Sequence, residues 1–236
     1  LAIATGGITY PITGSTGDGY TLAATLGCDL LPPRPALGGI ATAPAFPDLA
    51  GLSIERATIQ AAGNGLPKSI RQTGAILFTH RGISGPAILD LSIALARQFD
   101  SPNAISGLSL SLDLSPDATL DELVARAQRA AVRTPRKTII SGDWAGRLTG
   151  RLLDRIASTA GIDATAPLAQ TSKRALRAMA QCIKSLNIVI SEPFDLRTTA
   201  VTVGGVDIRA VNPRTMESRQ QPWLYLIGEL LSPAGR

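Results

Sequence analysis

The period of the apolar positions changes along the chain, and each change predicts a different element. Residues 1–4 are apolar and read as a buried strand running into Thr5-Gly6-Gly7. A glycine- and threonine-rich loop follows, Thr13-Gly14-Ser15-Thr16-Gly17-Asp18-Gly19. Residues 20–26 then read as a helix that Gly27 ends. Pro32, Pro33 and Pro35 predict a boundary. From Leu52 to Phe78 the runs are short and β-like: 53–59 alternates loosely, Asn64-Gly65 is a hairpin-turn signal, and 75–78 is a short buried strand. The segment 79–83 reads as a loop into a helix whose first position suits Pro86, capped by Ser84 or Gly85, with Ile88, Leu91 and Leu95 on one face. Residues 106–114 alternate cleanly, with Leu108, Leu110, Leu112 and Leu114 pointing one way, the signature of a half-buried strand.

Residues 119–186 switch to the helical period. Thr119-Leu120-Asp121-Glu122 is a capping box ahead of Leu123, Val124 and Ala127. A second helix is predicted from Leu148, Leu152 and Ile156, and a third from Leu176, Met179 and Ile183, together a small bundle. Strands resume afterwards. Gly204-Gly205, between Val201-Thr202-Val203 and Val206-Asp207-Ile208, reads as a two-residue hairpin turn. The run 224–227 is continuously apolar and ends at Gly228-Glu229, the pattern of a parallel strand buried on both faces. The organisation is nested: strand-like ends of α/β type enclose a β region, and the β region encloses a helical insert.

Composition narrows the chemistry. Apolar residues make up 44% of the 236 residues, which suits a packed core, whereas 4% aromatics leaves little for a base-stacking platform. One histidine and two distant cysteines, Cys28 and Cys182, supply neither a disulfide framework nor a zinc cluster, so no metal is expected and a reducing, cytoplasmic setting fits best. No apolar run reaches the length of a membrane span, and no basic segment of signal-peptide type opens the chain. The absence of an initial Met and the stop just after a strand-like run suggest a piece of something longer. The net charge of +5 is uneven: between Thr119 and Ser185 there are 12 Lys/Arg against 5 Asp/Glu, and elsewhere 11 against 13. A solvated helical face accounts for that excess; the rival is a module that binds nucleic acid or another polyanion through the insert.

Candidate chemistry sits at strand ends. Ligands of open α/β sheets lie beyond the carboxyl ends of strands, where a glycine lets them approach the backbone, so Thr5-Gly6-Gly7 and Gly228-Glu229 are candidates for lining one crevice. The loop Gly14 to Gly19 precedes a helix and could present N–H groups to a phosphate, although it is neither GxGxxG nor a Walker loop; a tight structural loop is the plainer reading. His80 is a solvent-facing residue or a polar group aimed at a ligand. Ser84, followed by Gly-Pro, is no nucleophile elbow.

The stretch Phe78-Thr79-His80-Arg81-Gly82-Ile83-Ser84-Gly85-Pro86-Ala87-Ile88-Leu89 resembles the internal signature of the aminoacetone oxidase family of FAD-binding enzymes, also described as NAD(P)/FAD-dependent oxidoreductases and bile-acid-type enone reductases. Ala4-Thr5-Gly6-Gly7, the stretch 13–20, Val203-Gly204-Gly205-Val206, Asn212-Pro213-Arg214-Thr215-Met216-Glu217-Ser218 and Leu224-Tyr225-Leu226-Ile227-Gly228-Glu229 agree in order. The resemblance implies a mixed α+β and α/β fold. Rossmann-like FAD-domain segments lie at 1–36 and 211–236, a β-barrel-like domain occupies 37–115 and 187–210, and a helical insert 116–186 sits within it. It implies an FAD-dependent oxidoreductase that moves a hydride or electron pair between a small-molecule substrate and the flavin, with O2 or NAD(P) as second partner; no membrane partner is expected from the composition, and nucleic acid belongs only to the rival reading. Thr5, Gly6, Gly7, Gly14, Ser15, Thr16, Gly17, Asp18, Gly19, Gly228 and Glu229 match the cofactor side; Thr79, His80, Arg81 and Ser84 match the substrate side. The family's GxGxxG strand is absent from this span, Ser232 stands where an acid is usual, and Cys28 where a histidine is common. A chain of this span is therefore expected not to retain FAD or to act alone.

Overall fold

A computed structural model describes residues 1–232 except 64, 65, 67, 100 and 142. In chain order the strands are β1 (Ala2–Ile3), β2 (Leu30–Ala36), β3 (Ile40–Ala43), β4 (Ser53–Ala62), β5 (Ile70–Phe78), β6 (Gly82–Ser84), β7 (Ser109–Asp113), β8 (Leu186–Ile190), β9 (Val201–Val206) and β10 (Tyr225–Leu226). The helices are α1 (Asp18–Thr25), α2 (Pro86–Gln98), α3 (Leu120–Arg133), α4 (Gly150–Thr159) and α5 (Lys173–Lys184). Six strands close into a barrel in the order β3-β6-β5-β4-β7-β8. Closure leaves no edge in the ring unpaired, which a small antiparallel sheet otherwise has to protect.

The barrel forms from the alternation seen in the sequence. Leu110 and Leu112 of β7 point inward with Leu108 and Leu114 just beyond its ends, and all four are buried with Ile59, Ile76, Ile188 and Ile190. The loose alternation of β4 has a local cause: its register against β5 shifts between Ile54 and Ala57, a bulge that lets this long strand bend around a tight ring. Phe46 and Phe78 meet edge to face at 5.4 Å, worth about 1 kcal/mol beyond the area they bury. The guanidinium of Arg155, on α4, lies 5.3 Å from the Phe46 ring centroid and ties the insert to the barrel mouth.

The insert leaves the barrel after β7 and returns into β8. Thr119 caps α3 as anticipated: its hydroxyl accepts from Glu122 N at 3.2 Å, and the Glu122 carboxylate accepts from Thr119 N at 2.8 Å. Leu123, Val124 and Ala127 of α3, Leu152 and Ile156 of α4, and Leu176, Met179 and Ile183 of α5 are buried in the same continuous core as the barrel. Leu148 lies ahead of α4 rather than on it, because the helix begins at Gly150.

The ends of the chain meet. β1 and β10 pair in parallel, Ala2 against Tyr225 and Ile3 against Leu226, and α1 packs beneath them. This parallel pair was expected to be buried on both faces. Instead Ile3, Leu224 and Leu226 are buried, while Leu1, Tyr225 and Ile227 are exposed, because a two-stranded sheet among the described residues has a covering layer on one side only.

The expected hairpin at Gly204-Gly205 does not form. Both glycines lie inside one strand, β9, which runs antiparallel to β2. Their φ values of +87° and +106° and their neighbours give the reason: a Cβ on Gly204 would stand 2.2 Å from the Pro32 carbonyl oxygen, and one on Gly205 2.4 Å from that of Leu230. The pair marks close backbone approach at an irregular register, shifted between Leu31 and Arg34, not a reversal. Pro32, Pro33 and Pro35 lie within strand β2. Among the described residues β2 pairs with β9 alone, so its outer side needs no N–H donors. Gly82–Ser84, read as loop and cap, is strand β6, short enough that its apolar pattern carries no period. The Asn64-Gly65 turn signal lies outside the described residues.

Candidate functional site

Segments about 200 residues apart in sequence converge where the ends meet. A Cβ on Gly7 would lie 2.1 Å from the Thr202 hydroxyl oxygen and 3.0 Å from the Glu229 carboxyl carbon, and one on Gly19 would lie 1.9 Å from the Thr5 hydroxyl oxygen. These glycines are small because the chain crosses itself here. Thr202 is the pivot: its hydroxyl accepts from Ile8 N at 2.8 Å, and its own backbone N donates to Glu229 Oε1 at 2.5 Å. Tyr20, in the first turns of α1, is buried and donates to the Glu229 carbonyl at 3.2 Å. Burial first, then the Glu229 carboxylate, pushes its phenol up to about 12, against a smaller opposing pull from Thr202.

Other glycines of the same cluster face outward. Gly14 and Gly228, with φ +95° and +80°, have nothing within 4 Å of where a Cβ would stand, and Gly6, at φ +76°, has only Ser15 Oγ at 4.0 Å. Ser15 in turn lies 3.4 Å from the Thr13 hydroxyl. Open backbone at Gly6, Gly14 and Gly228 borders the tightly packed Gly7, Gly19 and Glu229, so the cluster combines a rigid floor with an unfilled rim. Asp18 opens α1 with Gly17 as its N-cap; Thr16 and Asp18 are exposed. All the residues assigned to the cofactor side thus fall in or beside one cluster.

Thr79, Arg81 and Ser84 go to a different place. They line a cleft of about 220 Å³ with Gly39, Glu192 and Asp195. Arg81 is ion-paired with Glu192 across it. Asp195 binds Arg197, whose hydrogen bonds hold the carboxyl below the usual range. Thr79 Oγ1 accepts from Gly82 N at 3.1 Å, which tightens the β5–β6 turn. His80 is exposed at that turn and is not part of the cleft lining. The cleft and the terminal cluster are joined through Tyr10, whose N donates to Leu196 O at 2.9 Å. Tyr10 holds a left-handed backbone, φ +53°, an unusual conformation for a non-glycine and a mark of a constrained loop.

Sequence reasoning missed Thr202, Tyr20, Tyr10, Glu192 and Asp195. The first was hidden inside a supposed hairpin, Tyr20 inside a helix, and the others in segments without period; none carries a signal until the chain folds back. Among the described residues no group of three or more His, Cys, Asp or Glu is placed to hold a metal ion. No helix among them is long and apolar enough to cross a membrane. Cys28 and Cys182 are free, and burial pushes both thiols up.

Residues 34–201 match the family described as HI0933-like protein barrel and H2TH domain. The whole chain aligns with two proteins named ribosomal RNA dihydrouridine synthase. One is from Haemophilus influenzae, 31% identical with 54% of its length covered; the other is from Escherichia coli, 31% identical with 55% covered. It also aligns throughout with a 3-dehydro-bile acid delta(4,6)-reductase of Clostridium scindens, 27% identical with 56% of that protein covered. The chain spans about half the length of the curated relatives it matches.

Proposed function

This chain belongs to the HI0933-like barrel and H2TH domain family, and on that basis we propose that it is the barrel-bearing part of an FAD-dependent reductase that saturates a carbon–carbon double bond conjugated to a carbonyl group. The two activities named among its relatives share that chemistry. A dihydrouridine is a uridine whose C5–C6 bond, conjugated to a ring carbonyl, has been saturated; a 3-dehydro bile acid with Δ4,6 unsaturation is an extended enone. The observation that carries the reading is the convergence of Thr5-Gly6-Gly7, Gly14 to Gly19 and Gly228-Glu229 on one cluster with an open glycine rim, linked by the Tyr10–Leu196 hydrogen bond to the segment that lines a small cleft of mixed character.

In this reading segments 1–36 and 211–236 belong to one discontinuous flavin domain. Gly6, Gly14 and Gly228 leave room for a flat ring system against bare backbone, and Glu229, fixed by Thr202 N, sits at its edge. FAD, when bound, supplies the hydride, and NAD(P)H is the donor that replenishes it. The protein's share is positioning. Arg81, braced by Glu192, presents a cation to the carbonyl oxygen of the substrate, and the Tyr10 loop couples the cleft to the flavin rim. We assign uridine in RNA as the substrate because the two 31%-identical relatives carry that activity in their names. The bile acid reductase favours a second reading, a small-molecule enone, in keeping with the substrate class expected from the sequence.

The intact protein is expected to copurify with flavin, absorbing near about 450 nm as oxidised flavins do, and to form dihydrouridine in unmodified ribosomal RNA under a reductant. Gly228→Ala meets no atom within 4 Å but puts a side chain on a backbone at φ +80°, so it should cost about 1 kcal/mol of stability while weakening flavin retention roughly tenfold or more. A colourless intact protein that cannot be reconstituted with FAD rules the proposal out; turnover of a steroidal enone without RNA reduction selects the second reading.

A further inference from the structure

The helical insert is electrically polarised along its length. α5 ends at the barrel and α3 begins there: Lys184 pairs with Asp113 at 2.6 Å and donates to Ser115 O and Ala118 O, and Arg177 of α5 reaches Asp121 of α3 at 3.1 Å. The two helices therefore pack antiparallel. Arg56–Asp117 and Arg147–Glu55 add further ion pairs at this proximal end.

The distal end is different. α3 is 14 residues long, so its C-terminus stands about 21 Å from its start at 1.5 Å per residue. There Arg129 and Arg133 lie four apart on one exposed face, with Arg126 one turn back. Arg136 and Lys137 follow in a turn that is pinned to the approach to α5: Leu168 N donates to Lys137 O at 2.8 Å, and Thr138 bridges to Pro167. Lys173 and Arg174 then open α5, whose first turn holds no acid. Among the described residues Arg126 is attracted to Glu122 one turn before it, and Arg129, Arg133, Arg136, Lys137, Lys173 and Arg174 form no ion pair. Cations at a helix N-terminus oppose the helix dipole, and like charges gathered on one tip repel. Arg133 suits the negative end of the α3 dipole, but Lys173 and Arg174 stand at the positive end of α5, so helix stability alone does not account for gathering all of these cations on one tip. Val132, 83% exposed in the same stretch, shows that the tip is not covered by the rest of the chain.

We propose that this distal tip docks the phosphate backbone of an RNA substrate, at a distance from the reducing cleft. The inference rests on the reading of RNA as substrate. β8 starts where α5 ends and runs on into the cleft-lining segment 192–198, so a barrel strand as well as the helix separates tip and cleft. An anchor so placed serves only a substrate that is large as well as anionic. The exposed tip offers cations without aromatic rings; Trp144 of the insert is buried, its Nε1 bonded to Ile139 O at 2.8 Å. Such a surface positions a backbone and does not read sequence.

The experiment measures binding of protein-free ribosomal RNA to the intact protein across a salt series. Arg133→Ala, Arg136→Ala and Lys137→Ala together are compared with Lys68→Ala, Arg71→Ala and Arg219→Ala, an equal loss of charge outside the insert. The tip variant should weaken binding and flatten the plot of log K against log salt by about 0.7 per lost phosphate contact, roughly 2 in all. It should raise KM for RNA and leave kcat at saturating RNA unchanged. The control should bind as the parent does. Unchanged RNA binding in the tip variant, equal weakening in both variants, or tip-dependent binding to phosphatidylglycerol vesicles in place of RNA overturns the proposal. Tip-dependent RNA binding without any dihydrouridine formed upholds the docking surface and removes the substrate reading instead.

Discussion

The barrel with its insert and the unit made by the chain ends are built on opposite plans. In the first, each strand of the ring has two neighbours, and one continuous core runs from β4 and β5 through α2 to the three insert helices. In the second, a two-stranded parallel pair and α1 enclose a small separate cluster of Ile3, Tyr20, Ala23, Cys28, Val206, Val211, Leu224, Leu226 and Leu230. β9 belongs to both, since Val203 packs in the large core and Val206 in the small one. Closure satisfies backbone groups and buries apolar faces at once, so the barrel carries its own stability. The terminal unit depends on crossing contacts, with open backbone at Gly6, Gly14 and Gly228 beside them, and it is where the proposed cofactor site lies. Regions that bind and release ligands come from the less stable end of a structure.

The largest expected effect tests the closure. A Cβ on Gly82 would stand 2.2 Å from the Ile40 carbonyl oxygen, where β3 and β6 join. Gly82→Ala should cost about 3 kcal/mol or more in urea unfolding, and should lower protection from hydrogen exchange across barrel and insert together. Loss confined to β6 would show that the barrel is not one cooperative unit.

A smaller effect tests the terminal unit through pH. Tyr20 keeps its proton in the folded state up to about 12, whereas its reference value is 10.0. The unfolded chain therefore holds fewer protons between these values. Stability from this group is fully present below about 10 and falls as pH rises to about 12, by up to about 2 to 3 kcal/mol. Protection of residues 224–227 should drop over that window while the barrel is spared. Tyr20→Phe should flatten the dependence; an equally steep fall in that variant would assign it to other groups.

The smallest effect separates insert from barrel. Thr119→Ala removes one half of the capping box and should cost about 1 kcal/mol, or about 2 to 4 °C in Tm for a chain of this size. Because α3 shares its core with the barrel, the whole transition should shift. A separate early transition of the insert would divide the large core in two.

Much of this was legible in the sequence. The capping box at Thr119, Pro86 at the start of α2, the leucines around β7 and the apolar faces of α3, α4 and α5 each depend on near neighbours, so local periodicity determined them. The meeting of Thr5-Gly6-Gly7 with Gly228-Glu229 could be suspected from two strand ends of like design. What the sequence could not decide is what each glycine is for. Gly204-Gly205 reads as a turn because a turn is the commonest local reason for two glycines. Only the tertiary structure brings Pro32 and Leu230 against them, and that makes them points of backbone crossing. In the same way Thr202 becomes a pivot, and Arg81 acquires Glu192 as its partner, because the chain returns to itself after more than 100 residues. Helix faces and caps are set within a few residues by backbone geometry. Strand partners and the uses of small residues are set by whichever distant segment packs against them.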